Sequence, residues 1–426
     1  MNILKLQTSS ILLDIGGTYI KTAALGKNQD SPTNIRKFKV PRFIENGSGR
    51  AIIPTSEFLD SIEEAIKFQL ESNFLPEQIY VSGQMGGFVI ENSEDFEIVS
   101  WQDQRTLDPQ FEKDRVELES WLKNSLAFKN TGSELRPGLP FLSLAVTRPY
   151  SHKIDSQISF RSIISFVTSY LTDFQSDAMH VSDAAASGFF NLKKNAWDDD
   201  LRSKLDKSLI PPPVYNEVTK IGNSTKFGVA VFTGVGDQQA SLLGTDLNEG
   251  RIVVNIGTGG QLAELKEDGK GEGKFQTRPY FGGKEIRTIT HLPAGRSLEA
   301  FVDFCYPGDQ KFNKYKEFER SCKAPDFSSQ IDLVNFNETL KAFGKERKDM
   351  HPERVSSLFF GSLIRTYESA LLHLSARGEL LFAGGVGQKV SIISKELSRL
   401  TGRKFSISPA QETTLEGLAK IARFHS

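Results

Sequence analysis

Two aspartates in this sequence stand beside glycine turns, an arrangement that suits the handling of phosphate groups. Asp14 ends the apolar run of ILLDIGGTYI, and Gly16, Gly17 and Thr18 follow it. Glycines permit positive φ angles and let backbone N–H groups approach an anion closely. A carboxylate at such a turn is well placed to hold Mg²⁺ against the phosphates. An ordinary hairpin with a turn-favouring aspartate is the alternative interpretation.

The residues after this turn predict a strand. Tyr19, Ile20 and Thr22 favour strand, and apolar and polar residues roughly alternate through TYIKTAAL. A dinucleotide-binding or Walker-type loop needs a helix at this point, because the helix N-terminus holds the phosphate. We therefore expect residues 10–25 to form two strands joined by a tight turn.

The second aspartate, Asp237, lies in GVGDQQAS, where a buried strand, a glycine turn and a helix are predicted in succession. Gly234 and Gly236 leave room for a bound molecule. Asp237 is a candidate general base for a substrate hydroxyl, and Gln238 can donate to and accept from hydroxyl groups. A helix cap is the alternative role of Asp237, and the two roles are compatible.

The first hairpin has a counterpart in the second half of the chain. The segment RIVVNIGTGGQLAEL at 251–265 places Asn255 and Gly257 where LLDIGGTYIK has Asp14 and Gly16. This similarity indicates an internal duplication, although a chance match of a short pattern is the alternative. Two such hairpins facing each other would hold a polyphosphate from both sides, with a metal-binding carboxylate on one side only.

Other segments combine aromatic and hydrogen-bonding side chains, as sugar sites do. SGQMGG spans 82–87, and SWQDQR at 100–105 contains Trp101, Asp103 and Arg105. A core aromatic beside an Asp–Arg ion pair is the alternative. The glycines of AGGVGQ at 383–388 offer a surface for a base and a ribose.

Composition limits the class of protein. A chain of 426 residues is too long for one ordinary core, so two domains are expected. The net charge of −1 gives no electrostatic case for nucleic acid or an anionic membrane. The apolar stretch at the N-terminus is too short for a signal peptide or a membrane span, which predicts a cytoplasmic protein. Cys305 and Cys322 are expected to be thiols, with a disulfide as the alternative.

Strand and helix patterns alternate through both halves, which predicts an α/β protein with mixed sheets. Helices are expected near 155–172 and 413–424, and Asp183 is expected to cap a short helix within VSDAAASGFFNL.

The order of these motifs resembles that of the FGGY carbohydrate kinases, from about residue 10 to 420. The resemblance is carried by LLDIGGT, SGQM, SWQDQR, SDAAASG, GVGDQQAS, NIGTGG and AGGVG. VVNIGTGGQLAEL, followed by RPYFGG at 278–283, looks most like the sedoheptulokinase branch.

The resemblance implies two ribonuclease-H-like (actin-like ATPase) domains with an active-site cleft between them. The N-terminal domain, 1–244, would hold the sugar site, the first phosphate loop and the catalytic aspartate. The C-terminal domain, 245–426, would hold the second phosphate loop and the adenosine motif. The implied reaction transfers the γ-phosphate of ATP to a sugar or polyol hydroxyl, and a ketose such as sedoheptulose or xylulose is favoured. Assembly of the protein into a homodimer is one oligomeric state that the resemblance leaves undecided.

The resemblance also assigns roles to individual residues. Asp237 matches the catalytic base, and Asp14 matches the residue that holds Mg²⁺. ATP-binding positions are Gly16, Gly17, Thr18, Gly257, Thr258, Gly259, Gly384 and Gly385. Substrate-side positions are Gln84, Met85, Trp101 and Gln238, to which the SWQDQR motif adds Asp103.

The chain departs from the pattern at two positions. Many relatives have histidine where Gly86 stands, which bears on the identity of the sugar, and serine is common at the position of Gly259. A non-catalytic sugar- or nucleotide-binding regulator on the same fold is the alternative function, against which the retained Asp14 and Asp237 argue. A nucleotide hydrolase is a third hypothesis, disfavoured by the WQDQR and GDQQ segments.

Overall fold

The chain forms two compact units in the computed structural model of the protein. The first unit comprises Met1–Gly244, Thr277–Glu285 and Glu412–Ser426, and the second comprises Thr245–Gln276 and Ile286–Gln411. The residues that the structure describes are 9–45, 49–71, 74–91, 95–149, 157–266, 274–306, 316–318, 320–322, 324–328, 330–333 and 352–425.

Strands and helices alternate along the chain, as the sequence predicts for an α/β protein. The strands are β1 Ser10–Ile15, β2 Tyr19–Leu25, β3 Thr33–Lys39, β4 Ile44–Glu45, β5 Ala51–Ile53, β6 Gln78–Gly83, β7 Phe88–Glu91, β8 Phe96–Val99, β9 Ile158–Ser159, β10 Arg161–Ser162, β11 Met179–His180, β12 Phe190–Asn191, β13 Ala196–Trp197, β14 Leu209–Ile210, β15 Val214–Tyr215, β16 Lys220–Asn223, β17 Ala230–Phe232, β18 Val235–Gly236, β19 Ile252–Ile256, β20 Gly260–Leu265, β21 Gln276–Pro279, β22 Glu285–Leu292, β23 Leu380–Ala383 and β24 Phe405–Ile407.

The helices lie between and after these strands. They are α1 Thr55–Leu70, α2 Glu112–Asn124, α3 Leu126–Lys129, α4 Pro140–Thr147, α5 Ile163–Leu171, α6 Val181–Ala184, α7 Asp199–Arg202, α8 Asp237–Gly244, α9 Gly295–Cys305, α10 Pro352–Leu371, α11 Gly385–Lys389, α12 Ser391–Thr401 and α13 Thr413–His425.

The main sheet of the first unit has the order β16-β17-β6-β1-β2-β3. Strand β1 runs antiparallel to β2 and parallel to β6, so the sheet is mixed. Successive side chains of β1 point to opposite faces of the sheet, and both sets are buried. Ile11 and Leu13 belong to a core that includes Phe58 and Ile62 of α1. Leu12 belongs to a separate core on the opposite face.

The C-terminal helix α13 supplies that second core with Leu415, Leu418 and Ala419. The sequence-based division placed all of 245–426 in one domain, whereas the structure assigns Thr277–Glu285 and Glu412–Ser426 to the first unit. The physical reason is the close packing of α13 on α8. A side chain at Gly244 or Gly417 would overlap the backbone of the other helix. The glycines therefore permit a contact that buries the apolar face of α13.

The sheet of the second unit contains the order β22-β20-β19-β23-β24. Strand β19 is antiparallel to β20 and parallel to β23, as β1 is to β2 and β6. Its core joins Ile252 and Val254 of β19 to Phe359 and Leu363 of α10. The five strands β3-β2-β1-β6-β17 of the first unit thus have the same order and directions as β22-β20-β19-β23-β24.

Some local predictions differ from the structure. The helix expected near 155–172 is α5, which begins at Ile163 with Ser162 as its cap, and residues 155 and 156 lie outside the described part of the chain. Asp183 does not cap a helix; it lies within α6, whose cap is His180. Cys305 and Cys322 are thiols, as predicted. Within the described ranges, no helix has both the length and the apolar character needed to cross a membrane.

Candidate functional site

The first glycine turn joins two antiparallel strands, as predicted from the sequence. Asp14 pairs with Lys21 across β1 and β2, and Ile15 pairs with Ile20. The N–H of Gly16 donates to the carbonyl of Tyr19 over 3.0 Å, so this glycine shapes the turn. Thr18 is exposed at the tip.

Asp14 is buried at the end of β1, with 3% of its surface exposed. Lys21 Nζ donates to its Oδ2 over 3.3 Å, and Ser82 Oγ on β6 donates to Oδ1 over 3.2 Å. Burial raises the pKa of the Asp14 carboxyl, and the charge of Lys21 opposes this rise. Asp14 is therefore a buried carboxyl group whose ionised form is favoured by the neighbouring charge of Lys21.

Lys21 and Glu412 are parts of this cluster that the sequence motifs did not identify. Lys21 Nζ lies 2.9 Å from Glu412 Oε2, and Lys37 Nζ lies 2.5 Å from Glu412 Oε1. Burial works against the charge of Lys21, but Asp14 and Glu412 outweigh it and raise the lysine pKa. The position of Lys21 opposite Asp14 follows from hairpin pairing, whereas nothing local in the sequence links Glu412 to it.

Asp237 begins α8, directly after β18. Its Oδ1 accepts a hydrogen bond from the N–H of Gln238, the next residue, over 2.8 Å. As a whole residue, Asp237 is half-buried. Protein atoms packed around it, and then the negative charge of Asp14, raise its pKa to about 7. A carboxyl group with a pKa near neutrality is suited to accept a proton at physiological pH.

A hydrogen-bond chain holds the backbone that leads into Asp237. The N–H of Gly236 donates to Ser182 Oγ over 3.0 Å, and Ser182 Oγ lies 2.8 Å from His180 Nδ1. The other ring nitrogen of His180 lies 3.0 Å from the carbonyl oxygen of Asn216. Burial lowers the pKa of His180 to about 4, so the ring is neutral at pH 7. The SDAAASG motif thus supports the turn before Asp237.

Gln84 and Trp101 lie together beside the first turn. A Cβ at Gly17 would lie 3.6 Å from Trp101 Nε1 and 3.7 Å from Gln84 Oε1. Gln84 is 3% exposed, and neither atom of its amide has a hydrogen-bond partner among the described residues. Because a buried amide without partners is costly, this pair of atoms indicates a binding position.

Met85 and Gln238 extend this region toward Asp237. Met85 packs against Gly236, where an added Cβ would overlap its sulfur atom. Gln238 follows Asp237 on α8 and is 8% exposed. The first unit therefore brings together the predicted metal, base and substrate residues Asp14, Asp237, Gln84, Met85, Trp101 and Gln238 at one end of its main sheet.

Asp103 is not among these residues as a substrate ligand, because both oxygens of its carboxylate accept hydrogen bonds from other protein groups. Arg105 donates through Nε to Oδ1 over 2.8 Å and through Nη2 to Oδ2 over 3.0 Å. The backbone N–H groups of Ala51 and Arg105 donate to the same two oxygens. With 1% of its surface exposed, Asp103 is the structural ion-pair partner that was the alternative interpretation of this motif.

In the second unit, the second glycine turn lies at the end of β19 and β20. Asn255 pairs with Gln261, and Ile256 pairs with Gly260, so this turn is one residue shorter than the first. Thr258 and Gly259 are exposed at its tip. The carbonyl of Gly257 accepts a hydrogen bond from the N–H of Gly295 over 3.0 Å, which ties the turn to the start of α9.

The predicted adenosine motif lies next to this turn, because β23 runs parallel to β19 and pairs Ala383 with Asn255. Gly384 has φ +79°, and a Cβ there would lie 2.5 Å from Asn255 Oδ1. Gly385 is exposed, with no atom within 4 Å of an added Cβ. The second unit therefore brings Gly257, Thr258, Gly259, Gly384 and Gly385 to one edge of its own sheet.

The carboxylates of the first unit fit the chemistry of a divalent cation. Asp14 and Asp237 are near enough that the charge of one raises the pKa of the other. Mg²⁺ at phosphate sites is commonly held by one or two carboxylates together with phosphate oxygens. The part of the chain that the structure describes holds no group of three or more His, Cys, Asp and Glu side chains arranged around a metal position.

Comparison with known proteins places these features in a family. A sequence model of the N-terminal domain of the FGGY family of carbohydrate kinases matches residues 10–244, more than half of the chain. A glycerol kinase of Coxiella burnetii (strain RSA 493 / Nine Mile phase I) is 27% identical over 116 residues. This match covers 24% of the chain and spans 22% of the length of that relative.

Solved structures of sugar kinases share the fold at low sequence identity. A gluconate kinase from Lactobacillus acidophilus is 15% identical, with a TM-score of 0.78 over 98% of this chain and 89% of that one. A ligand-bound xylulose kinase from the same organism is 16% identical, with a TM-score of 0.79 over 97% and 89%. Glycerol kinase of Plasmodium falciparum with ADP is 14% identical, with a TM-score of 0.77 over 97% and 88%. The prediction of two ribonuclease-H-like domains with mixed sheets flanked by helices is confirmed.

Proposed function

Because the chain belongs to the FGGY family of carbohydrate kinases, we propose that it transfers the γ-phosphate of ATP to a hydroxyl group of a small sugar. The observation that supports this most directly is Asp237, whose carboxyl group has a pKa raised to about 7 by burial and by the charge of Asp14. A group of this kind can take a hydroxyl proton and release it again near neutral pH.

In the proposed reaction, the acceptor lies against Trp101, with its hydroxyl groups on the amide of Gln84. Asp237 accepts the proton of the reacting hydroxyl group while the oxygen of that hydroxyl group forms a bond to the γ-phosphorus. The bond between that phosphorus and the bridging oxygen breaks, and ADP leaves. Phosphoryl transfer needs positioning and neutralisation of charge more than covalent help, so these residues suffice for the protein's part.

Asp14 is proposed to hold the Mg²⁺ that accompanies ATP, and that ion would neutralise charge on the phosphates. Lys21, which contacts Asp14, supplies a fixed positive charge at the same place. The turns containing Gly17 and Thr18, and Thr258 and Gly259, are proposed to bind phosphate oxygens through backbone N–H groups. Gly384 and Gly385 are proposed to lie against the adenosine.

The finer assignment of the acceptor is also a proposal. The resemblance of VVNIGTGGQLAEL and RPYFGG to the sedoheptulokinase branch favours a ketose such as sedoheptulose or xylulose. Names of the related structures include gluconate, xylulose and glycerol kinases. The acceptors to be tested therefore include ketoses, polyols and sugar acids.

The test is release of ADP from Mg·ATP across this panel, with wild type and Asp237→Asn measured side by side. We expect turnover with one class of acceptor and its loss by at least about a thousandfold in the variant. Nucleotide binding, measured by calorimetry, should survive the substitution. Asp200→Asn, which changes an exposed carboxylate on α7, is the matched control.

Turnover of Asp237→Asn near the wild-type rate would exclude Asp237 as the base. Nucleotide binding without turnover on any acceptor would favour a non-catalytic regulator on the same fold. ADP release that is independent of any sugar would indicate a nucleotide hydrolase.

A further inference from the structure

The proposed reaction gives no role to the segment RPYFGG, residues 278–283. This segment lies between β20 and β22 in the chain, yet the structure assigns it to the first unit, to which Asp237 also belongs. Residues 278 and 279 end strand β21, and residues 281–283 form a short 3₁₀ helix. The segment contacts elements that adjoin the proposed base.

The first contact is with helix α8, which begins at Asp237. Gln239 Nε2 donates to the carbonyl oxygen of Pro279 over 3.2 Å, and none of the surface of Gln239 is exposed. The other polar atom of the amide, Oε1, has no hydrogen-bond partner among the described residues. Because a buried acceptor without a partner costs free energy, an apolar residue would suit this position better if packing were all that it required. The amide is therefore explained by the bond that ties α8 to the segment.

The second contact is with strand β11. The ring of Phe281 lies against the ring of His180, with 5.8 Å between their centroids. A third contact comes from Arg278, whose Nη1 donates to the carbonyl oxygen of Ala185 over 2.8 Å, directly after α6. The segment thus contacts the chain on both sides of Ser182.

Ser182 Oγ accepts a hydrogen bond from the N–H of Gly236, and the direction of each bond behind it is determined. A carbonyl oxygen can only accept, so His180 Nε2, 3.0 Å from the carbonyl oxygen of Asn216, carries the proton of the ring. The backbone N–H of Ser182 can only donate, so His180 Nδ1, 3.2 Å away, is an acceptor. Ser182 Oγ then donates its own proton to Nδ1 over 2.8 Å. The neutral ring of His180 thereby orients the hydroxyl group that binds Gly236.

Gly236 is enclosed by other side chains as well. A Cβ there would overlap Met85 Sδ and would lie 2.5 Å from Gln239 Oε1. The backbone directly before Asp237 is therefore fixed by a hydrogen bond and by two close side chains. Segment 278–283 acts on this backbone by two routes, through β11 and through α8.

We propose that segment 278–283 positions Asp237 for proton transfer. One route is the bond from Gln239, and the other is the ring contact with His180, which orients Ser182. This inference rests on the proposed kinase function, in which Asp237 is the base. A displacement of about 1 Å costs about a factor of 100 in rate, so small shifts of the turn should be visible in kcat.

The first test separates position from stability. Gln239→Leu removes the bond to Pro279 together with the amide oxygen that lacks a partner in the described structure. We expect kcat to fall about 10- to 100-fold, while KM for the acceptor and for ATP changes less than about threefold. Phe281→Ala, which removes the ring contact with His180, should lower kcat in the same way by a smaller factor. Phe281 is half-buried, so this variant keeps the test available if Gln239→Leu does not fold.

Ser182→Ala and Ser182→Thr test the hydrogen-bond chain. The alanine variant should lose about 10- to 100-fold in kcat, and the threonine variant should recover part of that loss because it keeps the hydroxyl group. Ser169→Ala is the matched control, since Ser169 is equally buried and its hydroxyl group binds Asp177 and the carbonyl of Ser176 instead of the turn. The control should lower stability and leave kcat within about threefold of wild type.

A double variant shows whether the effect passes through the base. Gln239→Leu is introduced into the Asp237→Asn protein, and the remaining turnover is measured with each substitution alone and together. If Gln239 acts by positioning Asp237, its substitution should reduce the turnover of Asp237→Asn by less than about twofold. Losses that simply multiply would overturn the inference, because the effect of Gln239 would then not depend on the base.

Hydrogen exchange tests the same contacts without turnover. Exchange of the backbone amides in a peptide covering 232–240, measured by mass spectrometry, should be at least about tenfold faster in Gln239→Leu and in Ser182→Ala than in wild type. Ser169→Ala should leave it unchanged.

The outcomes distinguish the two proposals. Wild-type kcat in Gln239→Leu and Phe281→Ala, or unchanged exchange in residues 232–240, would overturn the inference and leave the kinase proposal standing. Faster exchange in the variants of a protein that turns over no acceptor would support the action of the segment on this turn and argue against the kinase.

Discussion

Lys21 lies directly across the first hairpin from Asp14, with its Nζ 3.3 Å from Asp14 Oδ2. The matching pair in the second hairpin is Asn255 and Gln261. The duplicated hairpins thus carry a charged pair in the first unit and a neutral pair in the second. Of the two hairpins, the first carries a carboxylate with an ammonium group beside it, whose charge favours the ionised carboxylate.

Replacing Lys21 with methionine should shift the pH dependence of catalysis. The ammonium lowers the pKa of both Asp14 and Asp237, so its removal raises both. The acid limb of kcat/KM, which reports the free enzyme, should move to higher pH, and kcat/KM at pH 7 should fall at least about tenfold. The control is Lys37→Met, which also removes a partner of Glu412 but has no contact to Asp14 among those found in the structure. An unchanged acid limb would contradict the coupling.

Removing the Asp103 carboxylate should reduce stability rather than acceptor affinity. Asp103→Ala leaves Arg105, which is 4% exposed, without its bidentate partner. Arg105 keeps its ion pair with Glu97, whose Oε1 lies 2.8 Å from Nη1, so we expect a loss of about 1–3 kcal/mol of unfolding free energy from the unpaired donors, to be measured by urea titration. KM for the acceptor should change less than about threefold in the folded fraction. A large rise in KM with little loss of stability would restore Asp103 to the substrate site.

Replacing Gln84 should weaken acceptor binding without loss of stability, the reverse of the result expected for Asp103. Gln84→Met replaces an amide that lacks partners in the described structure by an apolar group of similar size. We expect the free energy of unfolding to rise by about 1 kcal/mol and acceptor KM to rise about 10- to 100-fold. Denaturant titration and steady-state kinetics on the same preparation test both parts. A loss of stability would mean that Gln84 has a structural role.

Asp183 should make stability depend on pH. Its Oδ2 accepts from Ser162 Oγ over 2.6 Å, Oδ1 has no hydrogen-bond partner among the described residues, and burial raises its pKa to about 7. Because the folded pKa lies above the ordinary value of 3.8, ionisation opposes folding. The cost is absent at pH values below the unfolded pKa, grows as pH rises from about 4 to 7, and is fully present above pH 7.

Asp183→Asn removes this cost, so its Tm relative to wild type should be higher at pH 8 than at pH 5, by about 2–4 °C for each kcal/mol relieved. Scanning calorimetry of both proteins at the two pH values measures the difference. Because Asp237 ionises in the same range in both proteins, the comparison between them isolates Asp183. The same Tm difference at pH 5 and pH 8 would contradict the assignment.

The glycines of the adenosine motif offer a matched pair of substitutions. Gly384→Ala would put a Cβ 2.5 Å from Asn255 Oδ1 and 2.7 Å from the carbonyl oxygen of Ile256, at φ +79°. We expect a loss of about 1–3 kcal/mol in the free energy of unfolding. Gly385→Ala meets no atom within 4 Å and should change stability by less than about 0.5 kcal/mol. Equal effects of the two variants in urea titrations would show that the close approach at Gly384 does not affect the free energy of unfolding.

Much of the local architecture follows from the sequence. Alternating apolar residues and glycine turns predicted the hairpin over 10–25, and its similarity to 251–265 predicted the second hairpin. These features are local, because strand alternation and turn geometry depend on neighbouring residues. The one-residue difference between the turns was not predicted, since an ungapped comparison cannot distinguish turn length from strand register.

Side-chain assignments were harder to predict where the same residue types suit two environments. The SWQDQR motif was compatible with a sugar site and with an ion pair. The structure assigns Asp103 to the ion pair and leaves Trp101 beside Gln84 and the first turn. Which residues a side chain contacts depends on how the loops pack, and the hydrophobic periodicity of the sequence carries no information about loop packing.

The sequence by itself determined the α/β class, the two hairpins, the position of Asp237 at a strand-to-helix turn and the resemblance to the FGGY kinases. These rest on short-range patterns and on the order of motifs. Only the tertiary structure decided that Glu412 pairs with Lys21, that α13 packs on α8, and that Arg136 donates to Trp101 beside Gly86. Such pairs are far apart in the chain, and they meet because burial of apolar surface brings their strands and helices together.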